Sequence, residues 1–121
     1  QITFPVGRIN EDIGTNYKLF MQARTIAYIH KNLYIYRIRK TSISNSGFSE
    51  KMMRDDHDLR LERIAMVALK GYYISNYIQQ HRFYLDYWHR TAEVQGLRNS
   101  IETKRLEELD YLLTGKIYEE K

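Results

Sequence analysis

From Glu50 to the end of this 121-residue chain, apolar residues return at helical rather than strand-like intervals. That periodicity constrains the fold more than any other feature. Leu61, Ile64, Ala65, Ala68 and Leu69 trace an apolar stripe on a helix that starts near Glu50 and bends or ends at Gly71. A second helical stretch, about 72–94, is unusually aromatic: Tyr72, Tyr73, Tyr77, Phe83, Tyr84, Tyr87 and Trp88. Gly96 fits the glycine that closes it. Ser100 then caps a last helix whose Leu106, Leu109, Leu112 and Leu113 are expected to face inward. Residues 50–121 therefore read as a C-terminal helical region resembling a bundle.

The first 49 residues have a different texture. Pro5 and Gly7 punctuate an extended or looped start. Residues 11–24 read as a helix, with Asn10 as N-cap and Glu11 and Asp12 at the positive end of its dipole. Ile13, Tyr17, Phe20 and Met21 recur at helical spacing, while Gly14 and Thr15, poor helix formers, predict an irregular first turn. Thr25–Ile29 is short and β-branched, His30-Lys31-Asn32 is a turn, and Leu33–Arg39 alternates with a period of two. Two such strands so close predict a hairpin, followed by a Ser-, Asn- and Gly-rich loop over Thr41–Ser49. The expected fold class is thus mainly α with a small β-hairpin (α+β), divided into segments 1–49 and 50–121.

A chain of this length fits one modest domain. It contains no cysteine, which excludes disulfides and thiolate metal sites within it. No apolar run approaches the ~18 residues of a membrane span. Gln1-Ile2-Thr3-Phe4-Pro5 reads like the middle of a protein, and the expectation is a piece of something longer. Net charge is +4, but it is unevenly placed: Arg24–Arg54 carries seven basic residues against Glu50 alone, a surplus of +6 that leaves −2 elsewhere. Such a stretch attracts anions, whether nucleic acid, anionic lipid or nucleotide diphosphate.

Several side chains are candidates for chemistry. An acidic pair at a helix start is stabilised there by backbone N–H groups, which is reason enough for Glu11 and Asp12. The same position lets one carboxylate reach a cleft and accept a hydroxyl proton, with the other orienting an acceptor. Arg37 and Arg39, two apart on a strand, share a face and could grip a phosphate, with Ser42 and Ser44 adding hydroxyl donors. The simpler reading is an edge strand protected by charge. Asp55-Asp56-His57-Asp58 reads as an acidic, solvated helix start rather than a metal site, and no metal ligands are assigned in this chain. His81 and His89, eight residues apart, do not form an i, i+4 chelate and are expected to be structural or exposed. The aromatic stretch reads mainly as packing, with a partner or membrane face as the alternative.

In this order and spacing the N-terminal features resemble bacterial family 2 glycosyltransferases that build surface polysaccharides. The resemblance rests on Asn10-Glu11-Asp12, then Ile26-Ala27-Tyr28-Ile29 and Leu33-Tyr34-Ile35-Tyr36-Arg37-Ile38-Arg39, then Thr41-Ser42-Ile43-Ser44-Asn45-Ser46 and Phe48-Ser49-Glu50-Lys51. It covers about residues 2–54; beyond that only the helical, aromatic texture is similar. It implies a C-terminal fragment of a GT-A α/β enzyme, inverting, that moves a sugar from a nucleotide-sugar donor to a surface-polysaccharide or glycolipid acceptor. It implies Asp12 as catalytic base beside Glu11, and Arg37, Arg39, Ser42 and Ser44 near the donor diphosphate or acceptor. The family's nucleotide-binding half with its Asp-x-Asp metal motif is missing, so a divalent Mg or Mn would be held by residues outside this chain, and the fragment is expected to be inactive alone. The implied location is cytoplasmic, with peripheral contact at the inner face of the membrane, and no nucleic acid is expected. The competing readings are a non-enzymatic helical module binding nucleic acid through Arg37, Arg39 and Lys40, or a protein-interaction domain docking through its aromatic helices.

Overall fold

The structure is a computed structural model and describes residues 1–35, 37 and 47–118. Four helices run in the order α1 (Asn16–Gln22), α2 (Glu50–Leu69), α3 (Ser75–Val94) and α4 (Ile101–Thr114). Each of α2, α3 and α4 packs against the other two.

Local signals set most of the ends. The Ser49 side chain accepts a hydrogen bond from the Met52 N–H at 3.2 Å and starts α2. Ser100 does the same for α4 through the Thr103 N–H at 3.2 Å. Gly71, Gly96 and Gly115, with φ of 79°, 73° and 72°, follow α2, α3 and α4. A left-handed residue there lets the last carbonyls find donors at little cost, and glycine adopts it freely. After α3, for example, the Leu97 N–H returns to the Ala92 carbonyl at 2.8 Å. Ile74 at the start of α3 supplies no side-chain cap.

The core between the three long helices is Met53, Leu85, Trp88, Ala92 and Leu106, with Phe48, Met52, Tyr84, Leu97, Leu109 and Leu113 packed against it. Two inward faces differ from the sequence expectation. Of the stripe on α2, Ala65, Ala68 and Leu69 are exposed, Leu69 at 82 %. The side of α2 that faces inward carries Met53, Asp55, Asp56, His57, Leu59, Arg60 and Val67. Asp55, Asp56 and His57 of the acidic run are therefore buried and Asp58 half-buried, so the run is not a solvated helix start. On α4, Leu106 is buried as expected while Leu112 is 76 % exposed. Of the aromatic stretch only Trp88 is buried; Tyr72, Tyr73, Phe83 and Tyr87 are exposed.

The helix expected from residue 11 begins only at Asn16. Asn10 adopts a left-handed φ of 60°, and turns with Ile13 N–H on the Asn10 carbonyl (3.0 Å) and Thr15 N–H on the Asp12 carbonyl (3.1 Å) occupy the intervening residues. Gly14 explains part of this: a Cβ there would sit 2.6 Å from Leu59 Cδ2, so the turn rests directly on α2. The irregular first turn predicted at Gly14 and Thr15 is thus present, and longer than expected.

The hairpin is not shown. No strand occurs among the described residues, and Thr25–Ile35 carries none. Tyr28, Tyr34 and Ile35 are 82 %, 82 % and 92 % exposed. Alternation prepares a segment for a sheet, but a strand exists only when another backbone completes its hydrogen bonds. Tyr36, Ile38 and Arg39 of the second expected strand, and Thr41–Ser46 of the loop, lie outside the described residues. No helix among the described residues is long and apolar enough to cross a membrane.

Candidate functional site

Residues 7–10 are clamped onto the start of α2 by charge. Lys51 Nζ donates to the Gly7 carbonyl at 2.6 Å and also pairs with Asp55. Arg8 donates to Asp55 at 2.8 Å and to Asp58 at 3.1 Å, and the Ile9 N–H reaches Asp55 at 3.0 Å. Burial alone would raise the Asp55 pKa, but hydrogen bonds from Lys51, the Ile9 N–H and Arg8 outweigh it and hold the carboxyl below its usual range. Arg8, hydrogen-bonded to Asp55 and Asp58, is held above its usual value.

Asp56 is 1 % exposed and has four donors within reach. Arg60 contributes two hydrogen bonds, at 2.8 and 3.2 Å, Trp88 Nε1 one at 2.8 Å and Asn10 Nδ2 one at 3.1 Å. The Arg60 guanidinium lies 3.5 Å from the centre of the Tyr84 ring, a cation–π contact. Asp58 also receives Arg105 from α4, and Arg54 donates to Glu102 at 3.1 Å. One polar layer thus ties the N-terminal turn, α2, α3 and α4 together.

This layer presents the Glu11-Asp12 turn. The Glu11 carbonyl accepts from Thr15 Oγ1 at 2.9 Å, and the Asp12 carbonyl accepts from the N–H groups of Thr15 and Asn16 at 3.1 and 2.9 Å. Their backbones are fixed while both residues are exposed. Neither carboxylate has a hydrogen bond or ion pair among the described residues. A carboxylate fixed at its backbone and unpaired at its tip can accept a proton from a hydroxyl brought to it.

Of the other expected site residues, Arg37 lies among those the structure describes. Arg37 is exposed and has no hydrogen bond or ion pair among the described residues. Arg39, Ser42 and Ser44 lie outside them. Asp56-His57-Asp58 has the letters of a metal motif, but its carboxylates are occupied by Arg60, Trp88, Asn10, Arg8 and Arg105. No group of three or more potential metal ligands occurs among the described residues. What sequence reasoning missed is the polar layer itself. A faint signal existed in the i, i+4 pairs Lys51–Asp55 and Asp56–Arg60.

His57 and His81 are the other buried polar pair. They are 3 % and 1 % exposed, their rings meet edge-to-face with centroids 5.4 Å apart, and none of their ring nitrogens has a hydrogen-bond partner among the described residues. Burial pushes the His57 pKa down to about 3, with His81 adding to the effect; burial and then Arg60 push His81 down to about 4. His89 is also buried and contacts Glu107 at 2.8 Å, so of the expected alternatives, structural or exposed, neither α3 histidine is exposed.

Comparison with known proteins adds what geometry alone does not. Over 113 residues, 93 % of the chain, the sequence is 32 % identical to the glycosyltransferase GlyA of Streptococcus pneumoniae serotype 4. Its relatives are named glycosyltransferases. A second, GlyG of the same organism, is 31 % identical over 75 residues, 62 % of the chain. The chain spans only 16 % of GlyA, and its match to GlyG spans 25 % of that protein. No protein-family model matches the chain, and no solved structure does.

Proposed function

We propose that this chain is a C-terminal piece of an inverting glycosyltransferase of the family 2, GT-A type, and that it supplies the catalytic base. The reading is supported by similarity to two proteins named glycosyltransferases. The single observation that carries the site is the exposed Asp12, without a partner among the described residues, on a turn that follows the segment clamped to α2. In the proposed step an acceptor hydroxyl oxygen forms a bond to the anomeric carbon of a nucleotide-sugar. The bond from that carbon to the diphosphate oxygen breaks, and the electron pair leaves with the nucleotide diphosphate. The hydroxyl proton passes to the Asp12 carboxylate. Glu11, its neighbour on the same turn, orients the acceptor. Arg37, Arg39, Ser42 and Ser44 are assigned to the diphosphate or acceptor, on the chemistry of guanidinium and hydroxyl donors. Any Mg or Mn is assigned to residues outside this chain, as the resemblance implies.

The test is made in the longer protein that carries this chain. Asp12→Asn is expected to lower turnover by about 10²–10⁴-fold, the usual cost of a lost general base, with donor binding nearly unchanged. Arg37→Ala is expected to weaken donor binding instead. The 121-residue chain alone is expected to release no nucleotide diphosphate from a nucleotide-sugar. Near-normal turnover of the Asp12 variant would return that residue to a purely structural role in the turn.

A further inference from the structure

A concave surface lies along the same helix as the clamped turn. Tyr17, Phe20, Val67, Tyr72, Tyr73 and Tyr77 line an open groove of about 480 Å³ between α1, the end of α2 and the start of α3. That volume lies within the usual range for small-molecule sites, roughly 300–1,000 Å³. With Met21 and Ala23 the lining is eight residues, four of them tyrosines; Tyr73 at 98 %, Tyr72 at 60 % and Phe20 at 59 % are solvent-exposed. Charged groups contact two of the lining tyrosines. The Tyr17 hydroxyl donates to Glu62 at 3.0 Å, Lys18 pairs with Glu62, and the Arg63 guanidinium stands 5.0 Å from the centre of the Tyr77 ring.

This composition fits one class of ligand better than others. A purely apolar ligand has no use for phenolic tips and charged groups, and a free anion has no use for flat rings. A pyranose needs both: one face of C–H bonds to lie on an aromatic ring, and equatorial hydroxyls to meet polar groups around the edge. Register adds an independent argument. Along α2, Asn10 bonds Asp56, Gly14 rests on Leu59, Tyr17 bonds Glu62, and the groove reaches Val67. At ~1.5 Å of rise per helical residue, the stretch from Leu59 to Val67 is ~12 Å. The groove thus lies a saccharide-sized step along the helix from the turn that carries Asp12.

We infer that this groove binds one or two pyranose units of the acceptor, holding the acceptor chain on the side of α2 toward which the Asp12 turn leads. Naming the saccharide an acceptor rests on the proposed transfer reaction; binding itself does not, and is measured without turnover.

The experiment uses the 121-residue chain with ring-labelled tyrosine, titrated by NMR with the methyl glycosides of glucose, galactose and their N-acetylamino counterparts and with the corresponding disaccharides. Ring signals of Tyr72, Tyr73 and Tyr77 are expected to shift with at least one saccharide, and Tyr28, 82 % exposed elsewhere, is expected to stay still. Tyr73→Ala, at a side chain too exposed to support the fold, is expected to weaken binding roughly three- to tenfold, the worth of one stacking partner. Tyr73→Phe, which keeps the ring, is expected to bind nearly as well as the parent chain. No shift with any of these saccharides, or shifts that Tyr73→Ala leaves unchanged, overturns the inference. So does a longer protein in which Tyr72 and Tyr73 resist a tyrosine-modifying reagent, because the groove is then covered by protein. Saccharide binding with a fully active Asp12→Asn variant would retain the groove and discard only the assignment of the base.

Discussion

Asp56 holds one carboxylate oxygen on Arg60 and Trp88 and the other on Asn10 and Arg60, and both members of the ion pair are buried. A buried pair is costly to assemble and costlier to break, because removing one member leaves the other charged without a partner. Asp56→Ala is therefore expected to destabilise the chain by about 3–5 kcal/mol in urea unfolding. Adding Arg60→Met should recover much of that loss, since an apolar side chain of similar volume needs no counter-ion. A single variant costing under about 1 kcal/mol would mean that the pair does not organise the bundle. Gly14 makes a steric rather than an electrostatic demand. Gly14→Ala places a methyl against Leu59 and is expected to cost about 1–3 kcal/mol, the range for overpacking a filled site. Combining it with Leu59→Val should cost less than the two singles together, because the shorter side chain yields the space.

At the scale of elements, α2 shows how far pattern reading reaches. Its start was legible: Ser49 before Glu50 caps it, and Ser49→Ala is expected to cost about 1 kcal/mol by thermal unfolding, with the α2–α3 packing unchanged. The ends of α2 and α3 were legible too, since Gly71 and Gly96 adopt positive φ just beyond them; Gly115 after α4 was not read. The inward face of α2 was not legible. Apolar periodicity finds the core only where the core is apolar, and α2 turns aspartates, a histidine and an arginine inward. Several of their partners come from residues 46 to 50 positions away in sequence, such as Ile9, Asn10 and Arg8, and no local window contains them. The same limit applies to Thr25–Ile35. β-Branched residues marked Thr25–Ile29 and alternation marked Leu33–Arg39 as sheet-forming, yet a ladder depends on a second backbone that pattern cannot supply. Of the candidate site, the acidic turn was visible as a pair at a helix entrance. The clamp that fixes it was not, because Arg8 and Asp55 carry no mark of their meeting.

For the whole molecule, the buried histidines set how the bundle answers to acid. His57 and His81 sit between α2 and α3, facing Asp56, Arg60 and Arg63, with Arg105 and Asp110 of α4 adding their fields. Both pKa values are depressed in the folded chain, to about 3 and about 4, against 6.5 for a free histidine. The unfolded chain therefore binds more protons than the folded one between pH about 6.5 and about 3. Stability is complete above that value and falls as the pH descends toward 4, with a slope of up to ~2.7 kcal/mol per pH unit while both histidines are protonated only in the unfolded state. Carboxylates act lower. Asp55 and Glu62, both held below their usual ranges, lose their contribution only as the pH approaches and passes those ranges, so the histidine window opens first. Urea unfolding at a series of pH values from 7.5 to 4.5 is expected to show this slope begin near 6.5. A variant with His57→Leu and His81→Leu should lose the slope between 6.5 and 5 while keeping the later carboxylate loss. A parent chain equally stable at pH 7 and pH 5 would show that water or solvent already reaches these rings, and that the seam between α2 and α3 is open.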